Sequence, residues 1–355
     1  MDDADLTTKL ADQIKNLSPD ASRVLYAELL TRPTNRVDET AALPLKTRWL
    51  MRELADQCFP AVQYILKNVI PAVGFGLLAA RPKAGKSWLC FWLAKCVGSG
   101  GGEVLGLKTL AGKVLYFALE DNPRRLKERA EKIKIPRDAN IVFFTEWRPL
   151  LDGGLVDLEN ELDREDYALV IIDTLSRMLG RADQMDLAEM TTVLGALQRI
   201  ALNRGIAILA VDHQRKTAGF QPSPIDDILG STGKSAVADF ILGMYREPGK
   251  KTTTLKVIGR DLEERELALD FDPIACEWLN LGDADDVREN TRKADILRAI
   301  RDLNEDGEIA TTSRIARHLS LDRGQVSRLL GDLGAAGKVW KLPKVGKEQP
   351  YGVIP

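Results

Sequence analysis

Between about Val73 and Leu281, short apolar runs alternate with segments whose apolar residues recur every three or four positions. The runs FGLLAA, KVLYFAL, NIVFFT, ALVIID and IAILAVD are apolar almost throughout. Such runs predict strands buried on both faces, and so a mostly parallel sheet. The segments KSWLCFWLAKCV, NPRRLKERAEKI, LVDLENELD and LAEMTTVLGALQRIALN lie between them and predict covering helices. Three more strands are expected in FILGMYRE, TTLKVIGR and RELALDFD. A short charged turn separates the last two, which predicts an antiparallel hairpin at a sheet edge. The expected fold class is α/β, a sheet with helices on both faces.

The flanks follow other patterns. Residues 1–72 are expected to be a helical N-terminal segment. LTTKLADQIKNL and ASRVLYAELLTR carry helical spacing, and LKTRWLMRELADQCFPAVQYILKNVIPA continues it with a break at Pro60. The stretch GDADDVRENTRK predicts a linker. Residues 288–355 then give one helix, a helix-turn-helix over TTSRIARHLS and RGQVSRLLGDLGAAG, and two short strands around a lysine-rich turn. That order is the order of a winged-helix domain. The three expected domains are 1–72, 73–281 and 288–355.

Composition narrows the class. Of 355 residues, 45% are hydrophobic and 29% charged, enough for a sizeable core, and the net charge of -2 demands no polyanionic partner globally. The four cysteines are scattered, which excludes a metal or disulfide framework; Cys90 and Cys96 are expected to be buried small hydrophobes. The polar, acidic start and the lack of a long apolar run predict a cytoplasmic protein without a membrane partner.

The chemistry begins at the end of FGLLAA. Residues Arg81, Pro82, Lys83, Ala84, Gly85, Lys86, Ser87 and Trp88 join this strand to the next helix. A strand-to-helix turn ending in Gly-Lys-Ser is a phosphate cradle. Gly85 allows close backbone approach, Lys86 reaches the β- and γ-phosphates, and the Ser87 hydroxyl ligates Mg²⁺. Ala80 stands where such a loop opens on glycine, and its small size suits the place. Other strands end in Glu120-Asp121, Asp173 and Asp212-His213. In an open parallel sheet these tips share one rim with the loop. Asp173 is the expected metal-associated acid. Glu120 is the candidate to orient and deprotonate the attacking water, and His213 stands where a γ-phosphate could be sensed. Asp121 and Asp212 are also candidates for helix caps.

The set RPKAGKS, VLYFALEDNPRRLKER, LVIIDTLSR, AVDHQRK and GSTGKSAVADFILGMYRE resembles the RecA-like ATPases, in particular the plasmid RepA type and the DnaB-type ring helicases. The resemblance covers about residues 71–272. It implies ATP and Mg²⁺ as cofactors, with Lys86 and Ser87 on phosphate and metal, Glu120 as base, Asp173 as metal-associated acid and His213 as sensor. It also implies a homo-oligomer, typically a hexameric ring, with an arginine finger from the neighbouring subunit. Arg260 matches the DnaB-type finger position; the RepA-type position is Leu229 here, which leaves Lys234 and Arg246 as further candidates. Loops 176–186 and 214–231 would face the ring channel, where Arg177, Arg181, Arg215 and Lys216 could follow single-stranded DNA.

Residues 288–355 hold 13 Lys+Arg against 9 Asp+Glu, and Lys338, Lys341, Lys344 and Lys347 crowd the wing. Ile315, Leu319, Val326, Leu329 and Leu330 are the expected core. Arg323, Gln325, Ser327 and Arg328 would be available to duplex DNA. Winged helices also dock proteins. The leading expectation is an Mg²⁺-dependent ATPase acting on DNA, a ring-forming replicative helicase of a plasmid, phage or mobile element. The alternative is a DNA-bound regulator switched by ATP occupancy, with slow turnover. A recombinase filament fits less well.

Overall fold

The computed structural model describes residues 49–214, 223–228, 233–246 and 251–353. The two helices expected within the first 48 residues lie outside them, as do Arg215, Lys216 and Leu229. Two compact units are present. The first ends at Asn280, and the second runs from Leu281 and includes Glu266–Ala268.

The first unit is built on a sheet of nine strands. Its parallel part comprises β3 (Gly74–Ala80), β6 (Lys113–Ala118), β7 (Ile141–Phe144), β8 (Tyr167–Asp173), β9 (Ala207–His213) and β10 (Phe240–Arg246). Beyond β10 lie β11 (Thr253–Gly259), β12 (Arg265–Asp272) and β13 (Glu277–Asp283), giving the order β13-β12-β11-β10-β3-β9-β8-β6-β7. β11 runs antiparallel to β10. The continuous apolar runs behave as expected, since every residue of β3 is buried and all but one of β8. The helices are α2 (Lys86–Gly98), α3 (Pro123–Lys132), α4 (Gly154–Leu162), the short α5 (Leu175–Leu179) and α6 (Leu187–Arg204). Two further short helices, α7 (Pro224–Asp227) and α8 (Gly233–Val237), precede β10. Leu194, Leu197 and Ala201 of α6 pack with Phe75, Leu77 and Ile208 of the sheet.

Register fixes the functional rim. Ala80 pairs with His213, Ala118 with Asp173, and Met244 with Ala80. The carboxyl ends of β3, β6, β8, β9 and β10 therefore lie along one edge.

Three expectations are corrected. The helical spacing after Pro60 is instead a hairpin of β1 (Tyr64–Leu66) and β2 (Ile70–Pro71). Ile65, Leu66, Val69 and Ile70 are buried at positions that suit a helix face equally well, but Asn68 takes φ 57 and turns the chain. The hairpin joins β4 (Gly102–Val104) and β5 (Leu107–Thr109) in a small sheet ordered β2-β1-β5-β4. Within the described residues, only α1 (Met51–Asp56) of the expected N-terminal helical segment is helical before β3. Secondly, the β11–β12 pair is not the sheet edge, because β13 continues the sheet beyond β12. Thirdly, the expected linker is the first half of α9 (Ala284–Glu305). The Asp283 carboxylate accepts from the backbone N–H groups of Asp285 (2.9 Å) and Asp286 (3.2 Å), and acids in the first turn suit the helix dipole.

The second unit has its own core. α9, α10 (Thr312–Leu319) and α11 (Arg323–Ala335) enclose Ile296, Ile300, Ile315, Val326, Leu329 and Leu330, while Leu319 is partly buried against them. Ser320 ends α10 in the left-handed region, and Asp322 caps α11 through the N–H groups of Gly324 and Gln325. β14 (Val339–Lys341) and β15 (Tyr351–Val353) form an antiparallel ribbon, and Thr311 bridges Pro350 beside it.

Candidate nucleotide site

β3 delivers the chain to the rim with no exposed residue, and α2 leaves it with its N-terminus facing the same rim. Between them, Lys83 (φ 61) and Gly85 (φ 88) adopt left-handed conformations that fold the loop back on itself. Glycine is required at 85, because a Cβ there would come within 2.8 Å of the Trp278 ring. Arg81, Pro82 and Lys83 are exposed, Ala84, Ser87 and Trp88 half-buried, and Lys86 buried.

The Lys86 ammonium closes the loop by donating to the carbonyls of Ala80 (2.9 Å) and Arg81 (3.3 Å). Burial lowers its pKa from the usual lysine value, opposed by the negative charges of Asp173, Asp212 and Glu120. Such a partly desolvated cation at a helix N-terminus is well matched to phosphate.

Asp173, at the tip of β8, is buried, accepts a hydrogen bond from the Tyr116 hydroxyl at 3.1 Å and has the Ser87 hydroxyl beside it. Burial raises its pKa; the two hydroxyls work the other way, and the nearby carboxylates of Glu120 and Asp121 add to the rise. Ser87 and Asp173, chosen from sequence as the metal pair, are therefore side by side. Tyr116 was not foreseen. It lies inside an apolar strand run, where nothing in the pattern marks one hydroxyl as aimed at a carboxylate.

Glu120 is exposed at the tip following β6, and its Oε1 accepts from the Thr174 hydroxyl at 3.0 Å. Thr174 in turn lies 3.1 Å from the Ser176 hydroxyl. The residue after Asp173 is thus a partner of the candidate base. Asp121 is not a helix cap. It grips Arg125 (3.1 Å) and Arg129, while Asn122 caps α3 by accepting from the Arg125 N–H at 2.9 Å.

His213 is half-buried beside Ala80, and its Nδ1 has no hydrogen-bond partner among the described residues. Asp212 is not a helix cap. It forms a fully buried ion pair with Lys234 at 2.7 Å, and Lys234 also donates to Gln184 at 2.9 Å. That burial removes Lys234 from the candidate fingers. Gln214, also unforeseen, donates to the Ala79 carbonyl at 3.1 Å and so holds β9 against β3 beyond the ladder.

Arg260 follows Gly259, which pairs with Phe240, and Phe240 pairs with Gly76. It therefore lies at the rim opposite the phosphate loop of its own chain, where it donates to the Ala236 carbonyl at 3.3 Å and lies 3.6 Å from Asp239. Arg246, at the carboxyl end of β10, is on the loop's own rim. Arg177 and Arg181 are exposed.

In the second unit Arg323, Ser327, Lys341 and Lys344 are exposed and Gln325 half-buried. Arg328 is exposed but engaged: its guanidinium donates twice to Glu289, at 3.0 and 3.1 Å.

A left-handed glycine, a buried lysine at the start of a 13-residue helix, and a serine–aspartate pair beside it fit a Mg²⁺–nucleoside triphosphate. The family comparison agrees with that geometry. A model described as AAA domain matches residues 39–219, just over half of the chain. The chain belongs to the AAA domain family. This AAA domain protein is accordingly a P-loop ATPase with an α/β fold and a mostly parallel central sheet. No curated protein matches it. Among solved structures, it is similar to one described as an ATPase domain at 19% identity and TM-score 0.47, over 59% of this chain and 85% of that one. It is also similar to a DnaB-like replicative helicase, described with its interactions with primase, at 18% identity and TM-score 0.46, over 59% of this chain and 57% of that one. Among the described residues, no helix is long and apolar enough to cross a membrane.

Proposed function

We propose that this AAA domain protein is a Mg²⁺-dependent ATP hydrolase that acts on DNA, as a ring-forming replicative helicase of a plasmid, phage or mobile element. The observation that carries the reading is the convergence of Lys86, the Ser87–Asp173 pair and the Glu120–Thr174 pair on one rim. Lys86 and the loop N–H groups hold the phosphates, and Ser87 with Asp173 holds Mg²⁺ or its waters. When bound, the ion would supply positive charge against the negative charge that develops on the phosphates. Glu120, oriented by Thr174, takes the proton of the attacking water. His213, whose Nδ1 has no partner among the described residues and which lies beside Ala80, reads the γ-phosphate.

Arg260 supports an oligomer. From the opposite rim of its own sheet it can serve only the nucleotide of another copy, as a finger in a hexameric ring does. Arg177 and Arg181 face a channel for single-stranded DNA, a role extended to Arg215 and Lys216. The second unit acts as a winged helix on duplex DNA through Arg323, Gln325, Ser327, Arg328, Lys341 and Lys344. Arg328 must exchange Glu289 for phosphate, whereas Lys341 and Lys344 are open to it.

The test is ATP turnover with and without single-stranded DNA, in wild type and Glu120→Gln. Stimulation by DNA that falls by about 10²–10⁴ in the variant, with nucleotide binding kept, supports the motor. Tight duplex binding with slow, unstimulated turnover supports an ATP-switched regulator instead.

A further inference from the structure

The Gly85 carbonyl receives two hydrogen bonds. One comes from the Leu89 backbone N–H at 3.3 Å, within α2. The other comes from the Trp278 indole N–H on β13, at 3.1 Å and 193 residues away. Trp278 is 4% exposed, and its ring lies 5.0 Å from that of Phe271. The strand pair that carries it is pinned to the same helix a second time, where the Trp92 indole N–H donates to the Cys276 carbonyl at 2.8 Å.

We infer that Trp278 is a positioning residue of the phosphate loop: by holding the Gly85 carbonyl on the outer face of the loop, it aims the Lys86 backbone N–H into the cradle. In a planar trans peptide the C=O and N–H bonds point in opposite directions. The Gly85–Lys86 peptide is therefore oriented from outside, by a side chain that need not touch the ligand. Glycine at 85 is left-handed and has no Cβ, so the chain itself holds this peptide plane weakly. The indole adds a second, shorter restraint to the one from the Leu89 N–H. Its ring also occupies the space a Cβ would fill, which makes Gly85 and Trp278 a matched pair.

The inference rests on the nucleotide reading above, and the experiment separates the two. Equilibrium dialysis measures Mg²⁺–ADP and Mg²⁺–pyrophosphate binding to the full chain, as wild type and as Trp278→Phe, which keeps an aromatic ring and removes the donor. The expected result is a loss of about 3- to 10-fold for both probes, the worth of one hydrogen bond, with the thermal midpoint of the ligand-free protein lowered by about 1–6 °C and unfolding still cooperative. Equal affinity in the two proteins overturns the inference. So does a loss for ADP without a loss for pyrophosphate, which would place Trp278 against the base. Failure of the wild type to bind either probe overturns the nucleotide reading itself. Should Trp278→Phe not fold, wild type labelled with ¹⁵N-tryptophan answers the question, the other five indoles being assigned by their own Phe variants. The Trp278 indole N–H resonance must move on addition of Mg²⁺–pyrophosphate, and a stationary resonance sinks the proposal.

Discussion

Asp173 shows how a single side chain trades stability for chemistry. Burial raises its pKa above the usual 3.8 despite the Ser87 and Tyr116 hydroxyls. Between 3.8 and the higher folded value, the native state holds a proton that the unfolded chain has released, so this group makes stability fall as pH rises through that window. Above it, the full cost of a buried carboxylate is present. Asp173→Asn should therefore raise the thermal midpoint at pH 7 and lose that advantage below pH 3.8. Melts across pH check this, and Mg²⁺-dependent hydrolysis should be lost in parallel. Lys86→Ala removes the one buried cation of the loop. Nucleotide affinity should drop by about 10- to 150-fold by dialysis, as expected for charge-assisted hydrogen bonds. That Lys86, Ser87 and Asp173 share one rim was legible in sequence, because each stands at or just after the carboxyl end of an apolar strand run. Tyr116 and Thr174 were not, because their role is a contact across strands that only register creates.

At the scale of elements, the Lys234–Asp212 pair ties α8 to the tip of β9, and Gln184 joins it from the loop before α6. Both ions are at most 1% exposed. Removing one partner strands the other charge away from water. Lys234→Ala should therefore cost about 3–5 kcal/mol in urea unfolding, and Asp212→Asn combined with Lys234→Met should recover most of it. The same network holds the backbone of His213, whose N–H donates to Asp212 at 2.8 Å. Element identity was readable where apolar runs were long, as in β3 and β8. It failed for the β1–β2 hairpin, whose four buried residues satisfy helical and hairpin spacing alike until Asn68 turns the chain. It failed again at α9, where a charged, polar stretch reads as linker although its caps and i,i+4 pairs, such as Glu289–Lys293, hold a helix.

For the whole molecule, two separately cored units imply separable activities. The proposed duplex contact lies in the second, and the nucleotide site in the first. Lys341→Glu with Lys344→Glu should weaken duplex binding and reduce the steepness of its salt dependence by about 2, near 0.9 for each lost phosphate contact. ATP turnover without DNA should be unchanged. Fluorescence anisotropy at several salt concentrations, beside a phosphate-release assay, checks both. A parallel loss of basal turnover would mean that the two units do not act independently.

The order of apolar runs and the polar residues that end them were enough to state a parallel α/β sheet with a phosphate loop and its carboxylates on one rim. That much is local, since each strand buries itself by its own composition and each tip carries its own chemistry. Which tips touch was decided only by packing. Asp173 meets Tyr116 because β8 pairs with β6, Lys234 is buried because α8 folds against α6 beside the tip of β9, and Trp278 reaches Gly85 because β13 extends the sheet past β12. Contacts between residues 57, 22 and 193 positions apart depend on strand order and register, and these follow from burying the whole sheet at once.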